Sequence, residues 1–386
     1  MPSILFVNRV LDPEAGATGR LLHDLAGAMA AAGWRVTVVA CGPAEPPPGV
    51  AYRPAAPRLD GGRLGRAAAL LRLATAALAA PRHDVVVTMT DPPLLGLLGP
   101  LLRRRGTALL HWCQDLYPAL FPALGLDLPP PLLRALERLA ALALNRHDAV
   151  LAIGRCMAER LAGQGVERVS VLPNWPDPAI APLPRRAGGP FTVLYSGTLG
   201  LAHPMAALLD AAERLRDEPD IRFVIAGAGS RRAELAAAVA ARGLSRVALR
   251  PAAPRGALSA HLAAADLLVA TMAPAALGGL VPSKVAGALA AGRPCLLLGP
   301  AAGEAATLIR RHGAGAVLPA DDGAALAAEI RRLRDDPAAL EAACAAALRA
   351  VADLTLDGAA SRFAALAAAA LAARRRPAIQ PEAPLA

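Results

Sequence analysis

Twice along this chain a short β-branched run ends on a glycine-bearing loop, passes into a helical stretch and returns as a second β-branched run. The first pass takes in residues 4–8, the loop Gly16-Ala17-Thr18-Gly19, a helical pattern over 20–32 closed by Gly33, and the run 35–40. Runs at 84–89, 108–112, 149–153 and 169–173 continue the alternation. The second pass opens at 191–197 on Gly197, has a helix to about residue 216, and returns at 221–226 before Gly227-Ala228-Gly229. Further runs follow at 247–249, 267–270, 295–298 and 315–318. Strand, glycine loop, helix, strand is the opening of a parallel βαβ sheet. Two such sheets in tandem predict an α/β chain of two doubly wound domains, with a cleft between two sets of strand carboxyl ends. Residues 174–190 are rich in Pro, Gly, Arg and Ala without period, which divides the chain into domains 1–175 and 191–355 joined by a linker over 176–190. A last helix over 356–374 precedes a Pro/Ala-rich tail, 375–386, that reads as disordered.

The 386 residues suit two α/β domains, and 55% apolar content supplies both cores. Alanine dominates, and it sits comfortably on either helix face, which blunts periodicity as a guide. The formal net charge of +10 favours anionic partners, either phosphorylated small molecules or anionic lipid. Nucleic acid is the weaker choice, since no basic stripe is interleaved with aromatics. Arg103-Arg104-Arg105 follows an apolar stretch at 94–102 that is too short to span a bilayer. Two readings stay open for it: a buried helix start with solvated arginines, or a segment resting on a membrane surface. The five cysteines are scattered with no CxxC spacing, so no metal site is expected and a reducing cytosol suits them. The N-terminus lacks a basic region and cleavage site and reads as a first strand.

Four motifs carry candidate chemistry. Gly227-Ala228-Gly229 suggests a dinucleotide fingerprint, but Arg232 stands where the third glycine belongs. What survives is a glycine turn at a helix start, able to offer backbone amides to a phosphate. Pro282-Ser283-Lys284 opens a helical stretch, with Ser283 as its expected cap and Lys284 in the first turn. A cation there opposes the helix dipole unless a diphosphate docks on both, and the other reading is a solvated surface lysine. Gly278-Gly279 would free the preceding backbone to approach such a ligand. Gln114-Asp115 follows the run at 108–112, where a carboxylate either faces the cleft as a base or an orienter of an acceptor hydroxyl, or serves only as a helix-cap or turn aspartate. Asn174, at the linker, touches either ligand or packs the hinge.

In this order, Tyr195-Ser196-Gly197-Thr198-Leu199-Gly200, Gly227-Ala228-Gly229, Pro282-Ser283-Lys284 and Ala290-Ala291-Gly292-Arg293-Pro294 resemble family 4 glycosyltransferases. Leu172-Pro173-Asn174-Trp175 and Gln114-Asp115-Leu116-Tyr117-Pro118 fit the colanic-acid and O-antigen subgroup. The resemblance runs over about residues 1–370. It implies a GT-B fold of two Rossmann-like domains, the last helix crossing back onto the first. It implies a nucleotide-diphosphate sugar in the C-terminal domain and a glycan or lipid-linked acceptor on the N-terminal one. It further implies retention of anomeric configuration, no metal and no cofactor, at the inner face of the bacterial plasma membrane.

On that pattern Lys284 stabilises the departing diphosphate and Asp115 serves the acceptor. Ser283, Gly197, Thr198, Gly227 and Gly229 line the donor site, with Gly16 and Gly19 approaching from the opposite domain. His203 and Arg231 substitute for a missing basic residue in the first turn, and Glu304 reaches the nucleotide. The family's paired glutamates fall here on Gly279 and Gly287. Two other readings stay open: a GT-B nucleotide-sugar epimerase, and a sugar-nucleotide-binding partner without catalysis.

Overall fold

The computed structural model describes residues 1–57, 63–185 and 188–375. The first sheet contains β1 (Ser3–Val7), β2 (Arg35–Ala40), β3 (Val50–Pro54), β4 (Val85–Met89), β5 (Ala108–Cys113), β6 (Ala149–Ala152) and β7 (Val169–Val171). The second contains β8 (Phe191–Ser196), β9 (Ile221–Ala226), β10 (Val247–Arg250), β11 (Leu267–Thr271), β12 (Cys295–Leu298) and β13 (Gly315–Leu318). All pairings are parallel, in the orders β3-β2-β1-β4-β5-β6-β7 and β10-β9-β8-β11-β12-β13. Both sheets therefore reverse direction at one place, between β1 and β4 and between β8 and β11. Loops leaving the neighbouring strands there diverge to opposite faces and open a crevice.

The inner strands are buried throughout: Ser-Ile-Leu-Phe-Val in β1, Val-Val-Val-Thr-Met in β4 and Leu-Leu-Val-Ala-Thr in β11. Continuous apolar runs of this kind suit parallel strands covered by helices on both faces. Strand β3 was not anticipated. It is short and mostly open to solvent, and it ends in Pro54, which an edge strand tolerates. The helix expected to run to residue 216 covers Ala206–Arg214.

The last helix, Leu356–Arg375, leaves the C-terminal domain and packs on the helix Ala17–Ala31 and on β5. Its Ala360, Phe363, Ala367 and Leu371 join the N-terminal core. The Phe363 ring lies 5.7 Å from Phe6 and 6.4 Å from Trp112. Arg374 and Arg375 pin the helix end to Asp148 (2.7 Å) and Asp84 (2.6 Å). Arg375 is thus helical rather than part of a tail. Residues 376–386 of that expected tail, and 186–187 of the expected linker, lie outside the described residues.

The apolar stretch at 94–102 folds as a 3-10 turn, Leu95–Leu98, and a short helix, Gly99–Leu102. Gly96 and Gly99 lie directly on the rings of His111 and His147, and Leu95 and Leu102 are buried. Arg103 pairs with Asp148 at 3.2 Å. The stretch is chiefly core, with Leu101 exposed. Among the described residues no helix is long and apolar enough to cross a membrane.

Truncating a fully buried aromatic costs about 3–5 kcal/mol, and Phe363→Ala should take that from the N-terminal domain. Amide exchange should quicken in β1 and β5 and stay unchanged in β8 and β9. Equal quickening in both sheets would show that the helix does not belong to the first core.

Candidate functional site

The two crevices face one another across a cavity of about 480 Å³. The N-terminal domain contributes Gly16 and Thr18 from the start of the helix Ala17–Ala31, Gln114 and Asp115 from the loop after β5, and Asn174. The C-terminal domain contributes Ser196, Gly197 and Thr198 after β8, then His203, Ser283, Lys284 and Gly287. Gly16 adopts φ +134° with open space around its Cβ position, so the backbone conformation rather than crowding requires glycine there.

The helix Ser283–Ala290 places Lys284. Its N-cap is Pro282, not Ser283, and no side chain caps it. Ser283 occupies the first helical position, where its backbone is already committed to the helix. The first-turn amides of Ser283 and Lys284 are thus left to a ligand or to water. Lys284 is the single lysine among 41 Lys and Arg residues. Its ammonium stands 5.1 Å from the Tyr195 ring centroid. A Cβ on Gly197 would come within 2.8 Å of Lys284 Cε, so that glycine gives the lysine its slot. Among the described residues no carboxylate pairs with Lys284, and burial lowers its pKa to about 7. His203, held by Nδ1 to the Thr271 carbonyl at 2.7 Å, is driven down to about 4 by burial and then by Lys284.

Across the cleft, Asp115 is pushed up to about 6 by burial, with Asp91 adding to the shift. The Gln114 and Asp115 amides both donate to Thr90 Oγ1, at 2.6 and 3.2 Å. The Gln114 and Asn174 side chains form a reciprocal amide pair, 3.1 and 2.7 Å. The two residues are thus brought together, and Asn174 serves both the cleft wall and the hinge.

Several expected donor contacts fall elsewhere. Gly227 and Gly229 lie behind the wall, where a Cβ would collide with the carbonyl oxygens of Gly197 and Leu199. They let two turns stack backbone on backbone, and only the front turn lines the cavity. At Gly19 likewise a Cβ would meet the Asp12 carbonyl oxygen at 2.5 Å, so this glycine serves a close backbone approach rather than the cleft. Arg231 pairs with Glu234 on the surface, its Nε donating at 2.7 Å. The Glu304 carboxylate accepts the Arg155 amide at 2.6 Å, which caps a helix of the other domain outside the cavity. Gly278 and Gly279 press on Cys156 and Leu120 of the N-terminal domain, not on a ligand space.

A charged cluster that sequence reasoning missed closes one end of the cleft. Buried Arg20 donates to Asp24 at 2.8 Å and to the Trp175 carbonyl at 3.0 Å. Arg255 of the C-terminal domain grips Asp177 through Nε and a terminal nitrogen, both at 2.9 Å. Arg255 holds Asp177 below the usual carboxylate range. Both Arg20 and Arg255 line the cavity. Arginine is abundant throughout, so nothing in the sequence marks these two.

Comparison with known proteins agrees with this architecture. Residues 16–175 match the glycosyl transferase 4-like domain, and residues 190–336 match the glycosyl transferases group 1 domain. A stretch of 163 residues is 32% identical to the putative colanic acid biosynthesis glycosyl transferase WcaI of Escherichia coli K12. It covers 39% of this chain and 40% of that protein, well under half of the curated relative. Three solved structures share the fold over nearly the whole chain. Sucrose-phosphate synthase from Thermosynechococcus elongatus aligns with a TM-score of 0.77 at 20% identity, covering 97% of this chain and 100% of that one. Anabaena HepE, solved with UDP and glucose, gives 0.73 at 16% identity, covering 96% and 100%. WaaG, a glycosyltransferase involved in lipopolysaccharide biosynthesis, gives 0.69 at 16% identity, covering 94% and 98%. Two Rossmann-like sheets, a cleft at both switch points and two glycosyltransferase domains in series establish that the chain belongs to the family 4 glycosyltransferases of GT-B fold.

Proposed function

We propose that this enzyme transfers a sugar from a nucleoside-diphosphate sugar to a glycan or lipid-linked acceptor during cell-surface polysaccharide synthesis. We further infer that it does so with retention at the anomeric carbon and without a metal. The observation that carries the reading is Lys284, a cation with no carboxylate partner among the described residues, beside open helix amides at the cleft wall. A diphosphate supplies the missing countercharge, and ammonium and amides then act on it together. Support for the donor class comes from the fold neighbour solved with UDP, and for the pathway from the relative named for colanic acid synthesis.

In this mechanism the acceptor oxygen bonds to the anomeric carbon on the face from which the diphosphate leaves. The bond from that carbon to the phosphate oxygen breaks, and the departing phosphate takes the acceptor proton. Lys284 and the Ser283–Lys284 amides hold the charge that develops on the leaving group. Asp115 orients the acceptor hydroxyl.

Removing one such stabilising group costs about 10²–10³ in turnover. Lys284→Ala should lose at least about a hundredfold with its melting temperature unchanged. Lys284→Arg should not restore activity, because the slot against Gly197 admits a methylene and not a planar guanidinium. A nucleotide-sugar panel scored by thermal shift identifies the donor for this assay. Wild-type turnover in Lys284→Ala refutes the assignment.

The pH dependence has a definite sign. As pH rises through about 7 the empty site loses the Lys284 proton, and a bound diphosphate draws it back. Donor binding should therefore weaken with rising pH and take up a proton. Lys284 and the N-terminal amine are the only primary amines of this chain. Acetylation followed by mass spectrometry should show Lys284 reactivity rising with a midpoint near 7, with UDP protecting it. A midpoint near the ordinary lysine value of about 10.4 would contradict the desolvated setting.

A position on the inner face of the plasma membrane is part of the same proposal. The N-terminal domain exposes Leu101, Leu139 and Leu142, and carries exposed Arg104, Arg105, Arg138 and Arg146. The enzyme should sediment with vesicles containing anionic lipid, less so as salt rises, and not with neutral ones. Equal sedimentation with both would remove the electrostatic basis.

A further inference from the structure

The two domains meet at a contact set away from the cleft wall. Arg160, on the helix Arg155–Gly163, donates from one terminal nitrogen to the Leu277 carbonyl of the C-terminal domain at 2.7 Å. Its other terminal nitrogen donates to the Ala119 carbonyl of its own domain at 3.1 Å. Among the described residues no carboxylate pairs with it, so its fork is devoted to two backbone carbonyls on opposite sides. The surroundings are shaped to admit this bridge. Gly278 adopts φ +68°, and a Cβ there would meet the Cys156 carbonyl oxygen at 2.8 Å and Arg160 Cδ at 3.1 Å. The Gly279 carbonyl accepts the Leu116 amide at 2.7 Å. Leu120 and Ala123 pack with Met272 and Ala276 in one apolar cluster that spans both domains.

The two segments so joined each lead directly to a group at the cleft. One begins at Asp115. The other, through Leu280 and Val281, runs into Ser283 and Lys284. We propose that Arg160 is a positioning residue for the transfer reaction. By bridging Ala119 and Leu277 it fixes the segment bearing Asp115 against the loop that presents Lys284. The proposal rests on the functional reading above in assigning acceptor and donor roles to those two groups. The forked guanidinium suits the task, since two donors in one rigid plane set the separation of two carbonyls. None of Arg160, Ala119 and Leu277 lines the cavity. Their loss should therefore change how the halves of the site meet without changing the donor seat itself.

The test compares the full-length wild type with Arg160→Ala, Arg160→Lys and Gly278→Ala. Three quantities are measured: UDP affinity by calorimetry, steady-state turnover with the donor identified by the panel, and radius of gyration by small-angle scattering. Misplacement of reacting groups by about 1 Å costs up to about a hundredfold. Arg160→Ala should lower kcat by at least about tenfold, leave UDP affinity within about twofold, and enlarge the radius of gyration. Arg160→Lys keeps the charge without the fork and should recover kcat only in part. Gly278→Ala reaches the same contact from the other domain and should give the same split, which decides the matter if Arg160→Ala does not fold. Unchanged kcat and radius overturn the proposal. So does UDP affinity falling in step with kcat, the mark of general damage. If wild type binds no nucleoside diphosphate and turns over no donor, the donor-site reading fails instead, while the scattering comparison still decides whether Arg160 holds the domains together.

Discussion

The fold holds the Lys284 cation where, among the described residues, no carboxylate pairs with it. Placing it there requires the glycine at 197 beside its methylenes, the Tyr195 ring near its ammonium, and a helix whose first turn is left uncapped. The uncapped helix end and the burial of the charge weaken the protein slightly, while the Tyr195 ring offsets part of that cost. A lysine at a helix N-terminus opposes the dipole by some tenths of a kcal/mol, and burial disfavours its charged form. In the proposed reading a diphosphate would reverse both penalties with the same charge. The two stacked glycine turns matter for this reason. If Gly227 carried a side chain, the Gly197 turn would be pushed forward and the lysine slot with it.

The tandem α/β organisation is legible because parallel strands buried on both faces are continuous apolar runs, and β2, β9, β12 and β13 have the bounds that those runs mark. Strand β3 escapes the same logic: it is half exposed and ends in proline, so its five residues carry little apolar signal. The site is legible where a residue type is unusual for its place, as with Lys284 in a first turn or Asp115 past a strand end. It is illegible where spacing marks a turn without saying what the turn faces. Gly227-Ala228-Gly229 is such a case, since ligand phosphate and neighbouring backbone both demand a missing Cβ. Glu304 is another, as a carboxylate after a glycine loop suits a nucleotide and suits a helix amide of the other domain. Arg20, Arg160 and Arg255 are hidden by number, being three of forty arginines, and only their partners distinguish them.

Those arginines divide the domain contact into two kinds of bond. Arg160 holds carbonyls, which carry no net charge and do not titrate. Arg255 reaches Asp177 at 2.9 Å and Asp24 at 3.8 Å, and Arg20 steadies Asp24 within its own helix; these pairs are partly buried and resist screening. Trp175 ties this cluster to the first core, its indole donating to Asp24 at 3.1 Å and stacking on Trp112 at a centroid distance of 6.1 Å. The linker is therefore part of the cleft wall as well as a tether, since Asp177 and Ile180 both face the cavity.

At the cleft wall an unpaired position suits lysine better than arginine. Guanidinium keeps its charge at any working pH. Buried at the cleft wall it would need a carboxylate, which would then compete with the diphosphate proposed to bind there. Ammonium can release its proton as burial lowers its pKa, so it waits near neutrality without a competitor. Asp115, raised toward neutrality from the other side, follows the same rule. Both groups at the cleft thus sit close to losing their charge, and in the proposed reaction an anionic donor would restore the one that carries charge as the sugar leaves.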